Sequence, residues 1–208
     1  RQHFLDRHVV EADVNARMSE LVAMEQQLFG ALRNNEYDVA YQPYCDMNGK
    51  KTAGAEALIR WINRDLGVVA PARFIRTLES TGMIIDVGAW VLKTVCAQAK
   101  KMQGGKKRLP LSVNLSPAQF RHERLVEMVE QTIKAVDLDP RLIVLEVTES
   151  VFMEDLLFTQ AVLKRLKGIG IAISIDDFGP GYSSLSYLKK LPVDVIKRVA
   201  QKFLDELD

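Results

Sequence analysis

Oxygen-bearing side chains interrupt several strand-like segments whose other residues are mostly apolar. They are Glu56 in "AGAEALIRW", Asn114 in "LPLSVNLS", Glu146 in "LIVLEVTES", and the pair Asp176 and Asp177 that ends "IAISIDD". A buried polar group without a partner costs roughly 1–3 kcal/mol, and a buried charge costs more. Lys197 and Arg60 can neutralise two of these groups, but the acidic groups outnumber the cations in the same set of strands. The surplus predicts a divalent metal ion.

The donor types narrow the choice of metal. Carboxylate and amide oxygens without histidine or cysteine favour a hard ion such as Mg²⁺ or Mn²⁺. Because Asp176 and Asp177 are adjacent, one carboxylate can bridge two ions. Two ions roughly 3.5–4 Å apart hold the attacking and leaving oxygens during phosphodiester hydrolysis. The residues therefore indicate a phosphoryl substrate.

Each residue also has a structural explanation when it is considered alone. Glu56 can be a core carboxylate paired with Arg60, and Asn114 can cap the helix that follows it. Asp176 and Asp177 can be a solvated strand end. Because a polar group recurs in one strand after another, a shared site is favoured over these separate explanations.

The segments that carry these residues alternate between strand-like and helix-like patterns. The predicted strands are "YDVAYQPYCDM", "AGAEALIRW", "LPLSVNLS", "LIVLEVTES", "IAISIDD" and "VDVIK". The first two form a hairpin, since Asn48 and Gly49 favour a tight turn. The predicted helices are "PARFIRTLESTG", "VGAWVLKTVCAQAKKMQGG", "PAQFRHERLVEMVEQTIKAV", "DLLFTQAVLKRLKGIG" and "SSLSYLKKL". Near-continuous apolar strands separated by helices indicate an α/β fold with a parallel sheet. With Lys197 included, five strands each contribute a polar group, which favours a (β/α)₈ TIM-like barrel over an open sheet.

A long amphipathic helix is predicted before the first strand. Apolar residues at positions 14, 18, 21, 28 and 32 form a stripe that is broken only by Glu25. The helix either joins an upstream domain as a signalling helix or packs on its own domain. We assign residues 1–34 to an amino-terminal linker or signalling helix and residues 35–208 to the main domain. Because the first residue is arginine, we expect a piece of a longer protein.

Composition excludes some classes of function. The 208 residues carry 28 basic and 27 acidic side chains, a balance that gives no footprint for a nucleic acid polymer. No apolar run is long enough for a membrane span, and no signal segment opens the chain. Cys45 and Cys96 lack metal-ligand spacing, which predicts buried thiols in a reducing compartment. We expect a cytoplasmic domain, with any membrane anchor in an upstream region.

Five motifs resemble, in order, those of the EAL domain family, the cyclic di-GMP phosphodiesterases of bacteria. They are "YQP" at 41–43, "EALIRW" at 56–61, "VNLS" at 113–116, "EVTES" at 146–150 and "DDFGPGYSSLSYLKKLPVDVIK" at 176–197. The resemblance covers about residues 36 to 197. It implies an EAL-type barrel with an atypical first hairpin, and hydrolysis of cyclic di-GMP to linear pGpG.

The resemblance also implies roles for individual residues. Glu56, Asn114, Glu146 and Asp176 match the ligands of a first Mg²⁺ or Mn²⁺ ion, and Asp176 with Asp177 match those of a second. Lys197 matches the lysine that orients or deprotonates the attacking water. Glu149 matches the glutamate that steadies the loop after the two aspartates, while Gln42 and Arg60 match nucleotide contacts.

Further expectations follow from the same resemblance. The loop after Asp177 implies a homodimer, and a sensory or GGDEF domain is usual upstream. Pro180 stiffens that loop, since it stands where the family more often has a small or hydroxyl residue. Arg198 and Val199 depart from the family pattern, and we expect the last two βα units to be absent. The alternatives are an inactive cyclic di-GMP receptor or an interaction module. A sugar-phosphate barrel enzyme is less favoured, because no glycine-rich phosphate loop is visible late in the sequence.

Overall fold

The described part of the chain contains seven strands, six helices and a short helical stretch at residues 150–151. A computed structural model describes residues 22–45, 50–105, 108–151, 155–178 and 191–198, with the backbone alone described at 177–178 and 196–198. The strands are β1 (Tyr37–Cys45), β2 (Thr52–Asn63), β3 (Gly67–Val69), β4 (Leu111–Leu115), β5 (Ile143–Thr148), β6 (Ala172–Phe178) and β7 (Val195–Arg198). The helices are α1 (22–31), α2 (Pro71–Ser80), α3 (Ile84–Gln103), α4 (Pro117–Phe120), α5 (Leu125–Ala135) and α6 (Leu156–Ile169), and Pro140–Leu142 form a 3₁₀ turn.

The strands form one sheet in the order β1-β2-β4-β5-β6-β7, with β3 paired to β2 outside this path. The pairs β2–β4, β4–β5, β5–β6 and β6–β7 are all parallel, which confirms the predicted parallel sheet. β1 and β2 are neighbours, as the predicted hairpin requires, but the turn at 46–49 lies outside the described residues. The predicted helix "SSLSYLKKL" also falls almost entirely outside them.

The chain divides into two compact units, one formed by residues 1–38 and 59–84 and the other by residues 39–58 and 85–208. In the second unit the strand cores are fully buried, as Ile143, Leu145 and Ile173 illustrate. Helix α5 buries Leu125, Val129 and Ile133 at the four-residue spacing of a single helix face. The carboxylate of Asp155 caps α6, and Gly170, at φ 101°, ends it in the left-handed conformation that glycine tolerates best.

The predicted single helix over residues 117–136 is wrong, because the structure divides it into α4 and α5. Phe120 and Leu125 are both buried. In one continuous helix these two side chains would point roughly 140° apart, since each residue turns the helix by about 100°. The break at residues 121–124 lets both side chains pack in the core.

The first unit is built around aromatic side chains. Trp61 and Phe74 are fully buried and meet edge to face with ring centroids 5.5 Å apart, and Tyr37 lies 6.2 Å from Phe74. Strand β3 was not predicted from the sequence. It follows a tight turn in which Gly67 has φ 67° and the Asn63 side chain accepts two backbone N–H groups.

Helix α1 covers residues 22–31 of the long predicted helix, whose earlier part lies outside the described residues. Leu28 and Ala31 are buried in the first unit, which supports packing of this turn on its own domain. The assignment of residues 1–34 to a signalling helix stays a prediction.

Both cysteines are free. Cys96 is buried, and burial raises the pKa of its thiol to about 12. The prediction of a buried Cys45 is wrong, because that residue ends β1 at the surface.

Candidate active site

Asn114 and Glu146 lie side by side in the register of β4 and β5, and Glu146 is in turn paired with Ser174 of β6. Partners in register on parallel strands present their side chains on the same face of the sheet. The Glu146 side chain is only 1% exposed. The structure therefore places a carboxylate in the interior of the second unit, flanked by an amide and a hydroxyl.

Asn114, Glu146 and Ser174 form a row of register partners, and Glu56 contacts this row directly. The Asn114 amide Nδ2 donates a hydrogen bond of 2.7 Å to Oε1 of Glu56. The amide oxygen Oδ1 is then the atom of Asn114 that can ligate a cation. The alternative explanation of Asn114 as a helix cap is wrong, because Ser116 caps α4.

Asp176 lies on the same face as the row, one step further along the strands. It is paired in register with Thr148, which is two residues beyond Glu146. Beyond Ile175 the register of β6 against β7 shifts: Ile175 pairs with Ile196, but Phe178 pairs with Arg198. Between these pairs β6 contributes the two aspartates of the motif and β7 contributes one residue, Lys197. In a regular strand two consecutive residues point to opposite faces, and a register shift of this kind relaxes that alternation.

Asp194 fixes the beginning of β7 against β6. Its carboxylate accepts hydrogen bonds from the Ile173 N–H (2.8 Å) and from Lys167 Nζ (2.6 Å), and its own N–H donates to the Ile173 carbonyl. Because Lys197 lies three residues further along the chain, these bonds set the position of the strand that carries it. The sequence motif contained Asp194, but its role was not predicted.

The remaining predicted residues are placed as follows. Gln42 is exposed in β1, and Glu149 lies partly buried just after β5. Arg60 belongs to the first unit, where its Nη1 donates to the carbonyl of Ile59. The side chains of Asp177 and Lys197 lie outside the described part of the structure.

The sequence analysis did not predict a role for Tyr44 or Ser112, which lie near the row. The Tyr44 hydroxyl lies 3.4 Å from Oγ of the fully buried Ser112, which is the register partner of Glu56. Gly54 makes this approach possible, since a Cβ at that position would lie 2.5 Å from the Tyr44 ring and 2.8 Å from the Pro110 carbonyl. Gly54, two residues before Glu56, was the feature of the sequence that could have indicated this close contact.

The donor set fits a hard divalent cation in its chemistry, because it consists of carboxylate and amide oxygens. Among the described residues no three histidine, cysteine or carboxylate side chains lie close enough together to hold a metal ion. This finding does not cover Asn114, which is an amide, or Asp177, whose side chain is not described. In the described conformation Glu56, Glu146 and Asp176 do not converge on one ion, and a shared ion requires their side chains to move closer together.

Comparison with known proteins identifies the family. The family model described as "EAL domain" matches residues 25–208. The chain belongs to the EAL domain family.

Two of the relatives from Pseudomonas aeruginosa illustrate the similarity. The chain is 38% identical over 198 residues to the bifunctional diguanylate cyclase/cyclic di-GMP phosphodiesterase MucR, covering 95% of this chain and 29% of MucR. It is 36% identical over 182 residues to the cyclic di-GMP phosphodiesterase NbdA, covering 87% of this chain and 23% of NbdA. The chain therefore spans about a quarter of the length of these relatives.

A solved EAL structure confirms the predicted fold class. The PaMucR phosphodiesterase in complex with c-di-GMP matches with a TM-score of 0.83 and 38% identity, over 89% of this chain and 75% of that one. The predicted fold class, a TIM-like barrel of EAL type, is thereby confirmed, and the described strands and helices are consistent with part of such a barrel. Across the described residues no helix is both long and apolar enough to cross a membrane.

Proposed function

We propose that the chain is the hydrolase domain of a metal-dependent phosphodiesterase that converts cyclic di-GMP to linear pGpG. The main support is the set of oxygen ligands on one face of the sheet, in which Asn114 contacts Glu56 and lies in register with Glu146. The cyclic di-GMP phosphodiesterases among the relatives supply the substrate class. The donor set and the family agree on phosphoryl chemistry.

The proposed reaction is hydrolysis of one phosphodiester bond. The water oxygen bonds to phosphorus, and the 3′ oxygen leaves with a proton, so that a 5′ phosphate remains. Two Mg²⁺ or Mn²⁺ ions, when bound, neutralise phosphate charge and lower the pKa of the attacking water. Glu56, Asn114, Glu146 and Asp176 would hold the first ion once the three carboxylate side chains move together, and Asp177 with Asp176 would hold the second.

The other residues position the reactants. Lys197, opposite the two aspartates in the strand register, orients the water or accepts its proton. Gln42 and Arg60 contact the nucleotide, and Glu149 steadies the loop after Asp177. That loop also mediates a homodimer, and residues 1–34 link an upstream sensory or GGDEF domain to the hydrolase in the cytoplasm.

The test is incubation of the full-length protein with cyclic di-GMP and Mn²⁺ or Mg²⁺, followed by chromatography of the nucleotides. We expect pGpG from the wild type and none from Glu56→Ala. Glu130→Ala is a matched control, because it removes a half-exposed carboxylate that pairs with Lys134 on α5. Tight binding of cyclic di-GMP without turnover would contradict the hydrolase and support the alternative of an inactive receptor.

A further inference from the structure

Helix α3 has a notch at Gly88 that is filled by the side chain of Gln119 from α4. A Cβ placed on Gly88 would lie 2.6 Å from Cδ of Gln119 and 3.1 Å from its Oε1, and closer still to its Nε2. Any side chain at position 88 would therefore displace the Gln119 amide. Gln119 is itself buried, with 6% of its surface exposed, so the amide has little room to move.

Gln119 is held in the notch by a reciprocal cap. The Ser116 N–H donates to Oε1 of Gln119 at 3.2 Å, and the Gln119 N–H donates to Oγ of Ser116 at 3.2 Å. This capping box closes the turn between β4 and α4. The buried Phe120 anchors the other end of the same short helix.

The capped turn begins two residues after Asn114. The Asn114 amide is the one that bonds to Glu56 and lies in register with Glu146. Its side-chain orientation depends on the backbone of the last residues of β4, which the cap at Ser116 holds. A displaced Gln119 amide releases the Ser116 N–H and loosens that backbone.

We propose that Gly88 and Gln119 are positioning residues for the metal site, acting through the Ser116 cap on Asn114. The proposal rests on the proposed function, because it treats Asn114 as a ligand. Neither residue belongs to the proposed set of metal ligands. Their effect is to reduce the freedom of the amide ligand before the ion binds, which raises the affinity of the site for the ion.

Glycine normally destabilises a helix, so a second glycine inside a helix supplies a matched control. Gly168 in α6 also lies inside a helix, but a Cβ there would meet nothing within 4 Å. Alanine at 168 should therefore favour the helix, whereas alanine at 88 should favour its own helix and yet disturb the site. The contrast separates positioning from helix stability.

The experiment measures Mn²⁺ binding to the full chain by isothermal titration calorimetry, with melting temperature and kcat and KM for cyclic di-GMP measured in parallel. The variants are Gly88→Ala, Gln119→Ala, the double variant and Gly168→Ala. We expect Gly88→Ala and Gln119→Ala each to bind Mn²⁺ about 10- to 100-fold more weakly, the range typical of residues that support metal ligands. The double variant should bind no more weakly than Gln119→Ala, since both changes act through one contact. Gly168→Ala should bind as the wild type does and melt at the same or a higher temperature.

Wild-type Mn²⁺ affinity in folded Gly88→Ala or Gln119→Ala would overturn the proposal. So would a double variant in which the two losses add, because the residues would then act separately. If Gly88→Ala does not fold, Gln119→Ala decides the outcome alone. A wild type that binds Mn²⁺ without hydrolysing cyclic di-GMP would overturn the proposed function but leave this inference standing, whereas a wild type that binds no Mn²⁺ would overturn the inference.

Discussion

The two units each contain a glutamate with a distinct set of neighbours, and the contrast separates a structural carboxylate from a candidate ligand. Glu36 in the first unit accepts hydrogen bonds from Trp61 Nε1 (2.9 Å), Asn63 Nδ2 (3.1 Å) and Asn34 Nδ2 (3.3 Å). Glu56 in the second unit accepts a hydrogen bond from the amide of Asn114, which is the register partner of the buried Glu146. A carboxylate that accepts three hydrogen bonds from uncharged donors fits a structural role, whereas carboxylates and an amide on one sheet face form the kind of oxygen donor set that a hard divalent cation prefers.

The ionisation of Glu36 fits its structural role. Partial burial raises its pKa, but the hydrogen bonds from Trp61, Asn34 and Asn63 and the charge of Arg64 outweigh burial, so the pKa is lowered overall. The carboxylate therefore stays charged in the folded protein at neutral pH. Its partners tie β1 to the end of β2 within the first unit.

The largest expected effect is at Glu56. Glu56→Gln keeps the size of the side chain and removes its charge, so we expect hydrolysis of cyclic di-GMP to fall at least about 100-fold, since even supporting residues cost 10- to 100-fold. The free energy of unfolding without metal should change by less than about 1 kcal/mol. Nucleotide chromatography and denaturant unfolding measure the two quantities. Wild-type hydrolysis in this variant would remove Glu56 from the ligand set.

A smaller loss of activity is expected at Asp194, which lies in the same unit as the row. Asp194→Ala removes the acceptor for Ile173 N–H and Lys167 Nζ and frees the beginning of β7. We expect kcat to fall about 10- to 100-fold, because small misplacements of reacting groups have effects of this size. KM should change little. The control is Glu130→Ala, which removes a half-exposed ion pair with Lys134 and should leave kcat unchanged. A rise in KM with unchanged kcat would contradict the role assigned to β7.

The opposite result is expected in the first unit. Glu36→Gln replaces an acceptor of three hydrogen bonds by an amide that accepts fewer, so we expect the free energy of unfolding to fall by about 1–3 kcal/mol. Hydrolysis by the folded protein should stay within about twofold of the wild type. Urea unfolding followed by tryptophan fluorescence measures the loss. A Glu36→Gln variant that is as stable as the wild type but inactive would contradict the distinction between Glu36 and Glu56.

The smallest effect is a difference in acid sensitivity. Because folding lowers the pKa of Glu36, its contribution to stability is present above the unfolded value of 4.5 and is lost as the pH falls through the folded pKa. The difference in unfolding free energy between wild type and Glu36→Gln should therefore shrink as the pH falls from 6 to below 4.5. A difference that stays constant over this range would show that the charge of Glu36 is not the cause.

The parallel strands and the row of candidate ligand residues could be predicted from the sequence, and the contacts between elements could not. Apolar runs such as the one around Glu146 have a strand period that needs no knowledge of neighbours. The break between Phe120 and Leu125 depends on where the core lies, and the roles of Glu36 and Asp194 depend on partners distant in the chain. The notch at Gly88 is also invisible in the sequence, since the residue that fills it is thirty-one positions away.

The register shift in β6 makes the length of that strand as important as its composition. Deleting one residue between Ile175 and Phe178 would give an unbroken ladder with β7, and hence a more regular sheet. It would also leave a single aspartate at the position where two now follow each other. Variants selected for sheet stability would thus be expected to lose one of the two aspartates while keeping the fold.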